Sequence, residues 1–404
     1  MLLLESLRIP RGLRAPSLGE AEVFDITLAE RHVMRIEPAR DPVARGTLIS
    51  CPVDAHVHID KNYSVREVGP ADGDLFAAIG RMEAHRANWS VQHVQARMER
   101  ALHEAWRDGT RALRTHLDWP GPQAPRSLQA FEQLRERWHG RLELQFVSLT
   151  PLDVFADEAA GARIAQSVRR AGGVLGAFVY RNEALVHKLG RVFELAQEYG
   201  LALDFHVDEG LHADATGLRA IAQLALARGF RHGIVCGHAC SLSVQEAQQA
   251  RHTLQLCAEA GIHLVALPTT NLYLQGDWDA TPVPRGITRL REAALQGLRP
   301  SLATDNVQDA FYPYGSYDLV ETFGLGVQMA HLAPAGAWLE AITTHPAGAL
   351  GLAWDGRIAP GCPADLVVLA ATDDYELLDA HGRQRRVIRA GRVLAKEEED
   401  KDKQ

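Results

Sequence analysis

The sequence predicts an α/β protein: a (β/α)₈ TIM barrel with a small β-sandwich-like domain formed from both chain termini. Three observations predict it. Eight apolar, strand-like runs alternate with helix-like runs through the middle of the chain. Histidine and carboxylate residues gather at the C-terminal ends of those runs, where barrel active sites are built. Short segments of alternating hydrophobicity flank the repeat on both sides.

The flanks come first. Residues 1–50 contain runs such as Ala21 to Leu28, which read as small antiparallel strands, and Ala364–Leu369 and Arg386–Leu394 have the same texture. Chain ends often lie close together, so 1–50 and 354–396 are expected to build one β domain. Residues 397–404 read as a charged, solvated tail. The barrel is expected over 51–353. Its strand candidates end at His58, then follow Ala112–His116, Leu144–Ser148, Leu175–Val179, Ala202–His206, Ile234–His238, His263–Leu267 and Ser301–Asp305. Helical spacing fills the gaps, for example Gln92 to Trp106 and Leu218 to Ala227. A six-stranded open sheet would fit only if two of these strands were wrong. The polar strand ends favour the barrel.

Composition narrows the function. The 404 residues are 46% apolar and 23% charged, with a net charge of −8, which argues against a nucleic-acid surface. The five cysteines, Cys51, Cys236, Cys240, Cys257 and Cys362, are odd in number and scattered. They form no disulfide framework, and Cys236-x-x-x-Cys240 has no second pair to complete a zinc site. A reducing, cytoplasmic setting follows. The segment Met1 to Glu5 lacks the basic start of a signal peptide, and no apolar run is long enough to span a membrane.

The strand ends hold the chemistry. His56 and His58 are two apart, so on an extended strand both point to one side and can clamp a divalent metal. Alone, His-x-His is as readily a hydrogen-bonded pair. Further strand ends supply His116 with Asp118, His206 with Asp208 and Glu209, His238, and Asp305 with Asn306. Chance must be weighed in a chain with 18 histidines. His212, His252 and His331 fall in helices or loops and need no function. Five at barrel-strand ends are harder to dismiss. His56, His58, His206 and Asp305 make a nitrogen and oxygen set suited to one Zn²⁺ or Fe²⁺ with a position left for water. Such a metal lowers the water's pKa and makes a hydroxide nucleophile. Glu209, just past its strand, is placed to carry a proton to the leaving nitrogen; the bland alternative is a helix N-terminal carboxylate. His238 would orient the nucleophile or polarise the substrate, or else make a core hydrogen bond.

At this point the chain resembles the amidohydrolase superfamily, and within it the bacterial cytosine deaminase-like group, which includes triazine-ring aminohydrolases. The matching pieces are Ala55–Asp60, Arg114–Asp118, Asp204–Glu209, Gly237-His238, Asn271–Gly276, Arg285–Arg289, Asp305, Phe311–Gly315, Thr344–Ala347 and Pro360–Leu366. The resemblance implies one metal held by His56, His58, His206 and Asp305. It also implies Glu209 as proton shuttle and His238 as catalytic histidine beside Asp305, and it leans toward a homo-oligomer. The fourth strand carries no lysine at its end, where binuclear relatives place a carboxylated bridge. Two departures stand out. Asn306 replaces a second aspartate, and Ser148–Pro151 lacks the substrate-reading glutamine. A site built to hydrogen-bond its substrate tolerates such losses poorly, which argues against cytosine itself. Gln275 and Asn306 are candidate ring-edge readers, and Phe311 and Trp278 candidate stacking walls.

The expected function is metal-dependent hydrolysis of a C–N bond in a small nitrogen heterocycle, with deamination foremost. Loss of an alkylamine from a triazine-like ring, or opening of a cyclic amide, would use the same chemistry. A non-catalytic barrel that binds without reacting is the remote alternative, since fold does not fix function.

Overall fold

A computed structural model describes residues 1–71 and 74–395. The charged tail expected over 397–404 lies outside the described residues.

Four strands precede the barrel: β1 (Leu2–Arg8), β2 (Val23–Ala29), β3 (His32–Pro38) and β4 (Thr47–Ser50). Eight more form it: β5 (Val53–Val57), β6 (Ala112–Asp118), β7 (Glu143–Pro151), β8 (Val174–Val179), β9 (Leu203–Val207), β10 (Ile234–His238), β11 (Ile262–Ala266) and β12 (Ser301–Leu302). These eight pair in parallel, each beside its sequence neighbour. The ring closes between its first and last strands. Asp305 N–H donates to His56 O at 3.0 Å, and His58 N–H donates to Asp305 O at 3.3 Å. Closure therefore runs through the backbone of three candidate site residues.

All eight expected strands are present. β5, β9 and β10 are buried along their whole length, which explains why they read as continuous apolar runs rather than alternating ones. The helices between them are amphipathic. Val91–Asp108 buries Val94, Met98, Ala101, Leu102 and Ala105 against the barrel. Ser90 caps it by accepting from His93 N–H at 3.1 Å, and Gly109 ends it at φ 107°, a backbone that other residues resist.

After the barrel come β13 (Leu366–Leu369), β14 (Arg385–Arg389) and β15 (Arg392–Val393). The two termini meet in one seven-stranded sheet of order β15-β14-β13-β4-β1-β2-β3. The seam is the antiparallel pair β13–β4, with Leu366 opposite Ser50 and Leu369 opposite Thr47. The sheet is mixed because β1 and β4 run parallel. Its apolar face (Phe24, Ile26, Leu28, Leu366) shares a core with Phe323 of the helix Leu319–Met329 and with Leu339 and Ile342 of the short helix Ala335–Ile342. The terminal sheet thus lies against the elements that follow β12, the strand leading to Asp305.

Candidate active site

The alternation of β5 turns His56 inward, and His58 follows just past its end. His206 comes from β9 across the barrel. The three Nε2 atoms converge: His206 lies 3.2 Å from His56 and 3.1 Å from His58. Asp305 Oδ1 completes the group, 3.6 Å from His56 Nε2 and 3.3 Å from His58 Nε2. All four side chains are buried. No arrangement of protons satisfies three imidazole nitrogens that face one another. Both oxygens of Asp305 also lack a donor in hydrogen-bond geometry among the described residues.

These are the marks of a shared cation. A tetrahedral shell of nitrogen ligands at about 2.0–2.1 Å from Zn²⁺ has edges of about 3.3 Å. The observed separations of 3.1–3.6 Å match it. Burial holds His56 and His206 well below the usual imidazole range, with the neighbouring histidines adding to the effect. Both rings therefore stay neutral and keep a lone pair for a metal. Asp305 stays below its ordinary value: burial raises it, but His58 and His238 outweigh that. The residues present fit one divalent metal.

Around this cluster Asp208 at φ 50°, His238 at φ 70°, Ala239 at φ 49° and Asp305 at φ 63° hold left-handed backbone without being glycine. Such strain gathers at functional sites. Asp208 repays it by accepting from Gly217 and Leu218 N–H at 3.0 and 2.9 Å, which fixes the turn that carries Glu209. Glu209 is buried, and burial together with Asp305 pushes its carboxyl well above the usual range. Its Oε1 lies 3.3 Å from His238 Nδ1. Asn271 Nδ2 lies 3.0 Å from the same nitrogen. Burial brings His238 down to about 4, with Asp305 opposing.

Above the cluster opens a cavity of about 680 Å³, its mouth included. Its floor is His58, His206, Glu209 and His238. Trp119, Phe178 and Phe311 form aromatic walls, and Leu75, Ile79 and Met82 of the helix Leu75–Arg86 form the roof. Asn306 and Phe311 line the cavity, as do Leu149 and Pro151 from the stretch without a glutamine. Gln275 and Trp278 are not among the lining residues. The Gln275 amide donates to Glu209 O at 3.3 Å, which supports the acid's backbone. Trp278 is 42% exposed and sits edge-on to Tyr273, its ring centroid 5.2 Å away.

Sequence reasoning gave no role to Lys61, Arg86 or Asn271. Lys61 lines the cavity, pairs with Asp118 and lies 5.2 Å from the Phe311 ring. Arg86 holds the other Asp118 oxygen at 2.9 Å. The run His58-Ile59-Asp60-Lys61 held the signal, because charged residues directly after a barrel strand face the same mouth.

A parallel barrel with a buried His/Asp cluster beneath a raised-pKa glutamate defines a metal-dependent hydrolase of carbon–nitrogen bonds. The chain belongs to the amidohydrolase family, whose profile matches residues 91–395. It is 38% identical over 394 residues to the pterin deaminase of Rhizobium rhizogenes (strain K84 / ATCC BAA-868), covering 95% of this chain and 90% of that one. It is 23% identical over 404 residues to the N-isopropylammelide isopropyl amidohydrolase of Pseudomonas sp. (strain ADP), covering 96% and 97%. Among solved structures, 5-methylcytosine deaminase from Klebsiella pneumoniae, liganded with phosphonocytosine, superposes with a TM-score of 0.84 at 25% identity, covering 98% of each chain. No helix among the described residues is long and apolar enough to cross a membrane.

Proposed function

We propose that this enzyme hydrolytically removes the amine of a 2-amino-4-oxopyrimidine ring fused to a second ring, the pterin class. The observation that carries the reading is the placement of Glu209. The buried carboxyl group of Glu209 sits beside His238 at the floor of a cavity with aromatic walls, over the histidine cluster. The likeness to a pterin deaminase along nearly the whole chain supports the ring class. So does the aromatic lining, which suits a bicyclic ring better than a bare pyrimidine.

His56, His58, His206 and Asp305 would hold the ion, and their three nitrogens and one oxygen favour Zn²⁺. When bound, such an ion supplies Lewis acidity and lowers the pKa of a coordinated water. Glu209 takes a proton from the attacking water and passes it to the departing nitrogen. A raised affinity for the proton lets it hold that proton between the two steps. His238, steadied by Asn271, hydrogen-bonds the oxygen that adds to the ring carbon. Phe311 packs on the ring face, and Asn306 reads its edge. Water adds to C2, the C2–N bond breaks, and the products are a 2,4-dioxopteridine and ammonia. The five thiols, none of them in a disulfide, suit a reducing cytoplasm.

A second reading has one observation in its favour. The apolar roof of Leu75, Ile79 and Met82 would also receive an alkyl substituent, as in amine loss from a substituted triazine. The test is product analysis on metal-loaded enzyme with pterin, cytosine, isocytosine, creatinine, aminotriazines and an N-alkylaminotriazine. Ammonia released from pterin is the expected result. No ammonia from any member, with one metal bound, refutes the reading; a free alkylamine establishes the second.

A further inference from the structure

Asn306 follows Asp305 directly and lines the cavity, and its side chain is held from behind. Its Nδ2 donates to Asp309 Oδ2 at 2.7 Å. Asp309 is fully buried, and its Oδ1 accepts the backbone N–H groups of Phe311 at 2.9 Å and Tyr312 at 3.1 Å. An ionised carboxylate only accepts hydrogen bonds. Facing it, the Asn306 amide has one satisfactory orientation, with NH₂ toward Asp309. The prong left to the cavity is the carbonyl oxygen. The same carboxylate closes the turn that sets Phe311 against the ring face.

We infer that Asp309 is a positioning residue that sets ring specificity by making Asn306 an acceptor. The cavity then selects a ring with an N–H beside the reacting carbon, the lactam edge of a 2-amino-4-oxopyrimidine, over a ring with a bare nitrogen there. The inference rests on the pteridine reading above and adds which face of the amide reads the substrate. A ring nitrogen that presents a lone pair to the Asn306 oxygen leaves two acceptors facing each other, and a buried mismatch of this kind is costly.

The test compares pterin, which carries the N–H, with 2,4-diaminopteridine, which carries a lone pair at the same ring position. Ammonia release gives a ratio of kcat/KM values, and quenching of pteridine fluorescence gives a ratio of Kd values. Wild type should prefer pterin. In Asp309→Asn the new amide keeps its oxygen on the two backbone N–H groups and turns its NH₂ toward Asn306. Asn306 must then flip and show its own NH₂ to the cavity. The pterin preference should fall about tenfold or more in both ratios. Exchanging the two residues, Asn306→Asp with Asp309→Asn, restores a donor behind and an acceptor in front, so the preference should return. Asn306→Ala removes the reader without touching the turn and should also abolish the preference, which keeps the test decisive if Asp309→Asn folds poorly.

A merely structural Asp309 would lower both substrates together. An unchanged ratio in Asp309→Asn, an unrestored ratio in the exchange variant, or a preference that survives Asn306→Ala overturns the inference. Wild-type enzyme that binds pterin preferentially but releases no ammonia would uphold the inference and remove the deaminase reading.

Discussion

Gly237 offers a sharp test of how the cluster is built. It is the penultimate residue of β10, and its Cα faces the edge of the His56 ring. A Cβ placed there would stand 2.7 Å from His56 Cε1 and 2.8 Å from Nδ1. The backbone at 237 is not left-handed, so alanine fits it without strain. Reduced freedom of the unfolded chain alone would then stabilise Gly237→Ala by about 0.4–1 kcal/mol. The clash works against this. Carbon contacts relax at about 3.5–4.0 Å, so the ring must retreat by roughly 1 Å. It has little room to do so, with the His116 ring centroid 3.9 Å away and that of His206 4.4 Å away. Overpacking of a filled core costs about 1–3 kcal/mol, so the net expectation is a loss of about 1–2 kcal/mol.

The larger effect falls on the metal. A shift of about 1 Å takes His56 Nε2 out of the common convergence point, and misplacement of that size can cost about 100-fold in function. Metal affinity is measured by competition with a chromophoric chelator, and stability by urea unfolding. Gly237→Ala should bind Zn²⁺ at least tenfold more weakly. Gly233→Ala, four residues earlier with no atom within 4 Å of its would-be Cβ, should leave metal affinity unchanged and show only the unfolded-chain gain of about 0.4–1 kcal/mol. Wild-type affinity and an unshifted unfolding curve in Gly237→Ala would refute the claim that clearance over this glycine positions His56.

Three further outcomes are expected. Glu209→Gln removes the proposed proton carrier but no member of the cluster, so kcat should fall by about 10²–10⁴ while metal content stays at wild-type level, read by steady-state kinetics and elemental analysis. Asp108, the last residue of the helix Val91–Asp108, has its carboxyl raised to about 6 by burial and by Asp318. The folded state binds that proton more tightly than the unfolded state, so stability is full below about pH 4 and is lost as pH rises through 6. The rise from 3.8 to about 6 corresponds to about 3 kcal/mol. Asp108→Asn should therefore be more stable than wild type by up to about that amount at pH 8, a gain that fades below pH 4 in urea titrations across pH. Gly80, exposed in the helix Leu75–Arg86 with nothing within 4 Å of a Cβ, should accept alanine with a gain of about 0.5–1 kcal/mol in the same unfolding assay.

The floor of the site was legible in the sequence and its roof was not, for a physical reason. His56, His206 and His238 sit on buried barrel strands, where a polar residue in an apolar run needs an explanation, and alternation tells which way it points. Leu75, Ile79 and Met82 recur at helical spacing, the pattern of any helix packed on a core. Nothing in that pattern separates a stripe that seals a core from one that roofs a cavity. Lys61 was missed for another reason. The chain turns after β5, so strand alternation no longer predicts direction; position after the strand puts Lys61 at the mouth, and its pairing with Asp118 holds the ammonium there. Trp278 shows the converse: an aromatic residue in a loop near the mouth need not enter it, and here Tyr273 holds it outside the lining.

The placement of strain ties these levels together. A strand that ends in ordinary extended backbone sends its next side chain to the opposite face. At Asp208, His238 and Asp305 the left-handed turn redirects the chain instead. It delivers Glu209 over the cluster and carries Asn306 into the cavity. Each turn costs about 1–3 kcal/mol in a non-glycine residue and survives only where neighbours over-determine it. At Asp208 those neighbours are two helix N–H groups. At Asp305 they are the two backbone bonds that close the barrel. The last strand therefore needs only Ser301–Leu302 in regular pairing. The closure that completes the fold is made by the residues that complete the candidate metal site, so the geometry of the cluster and the closure of the ring are fixed together.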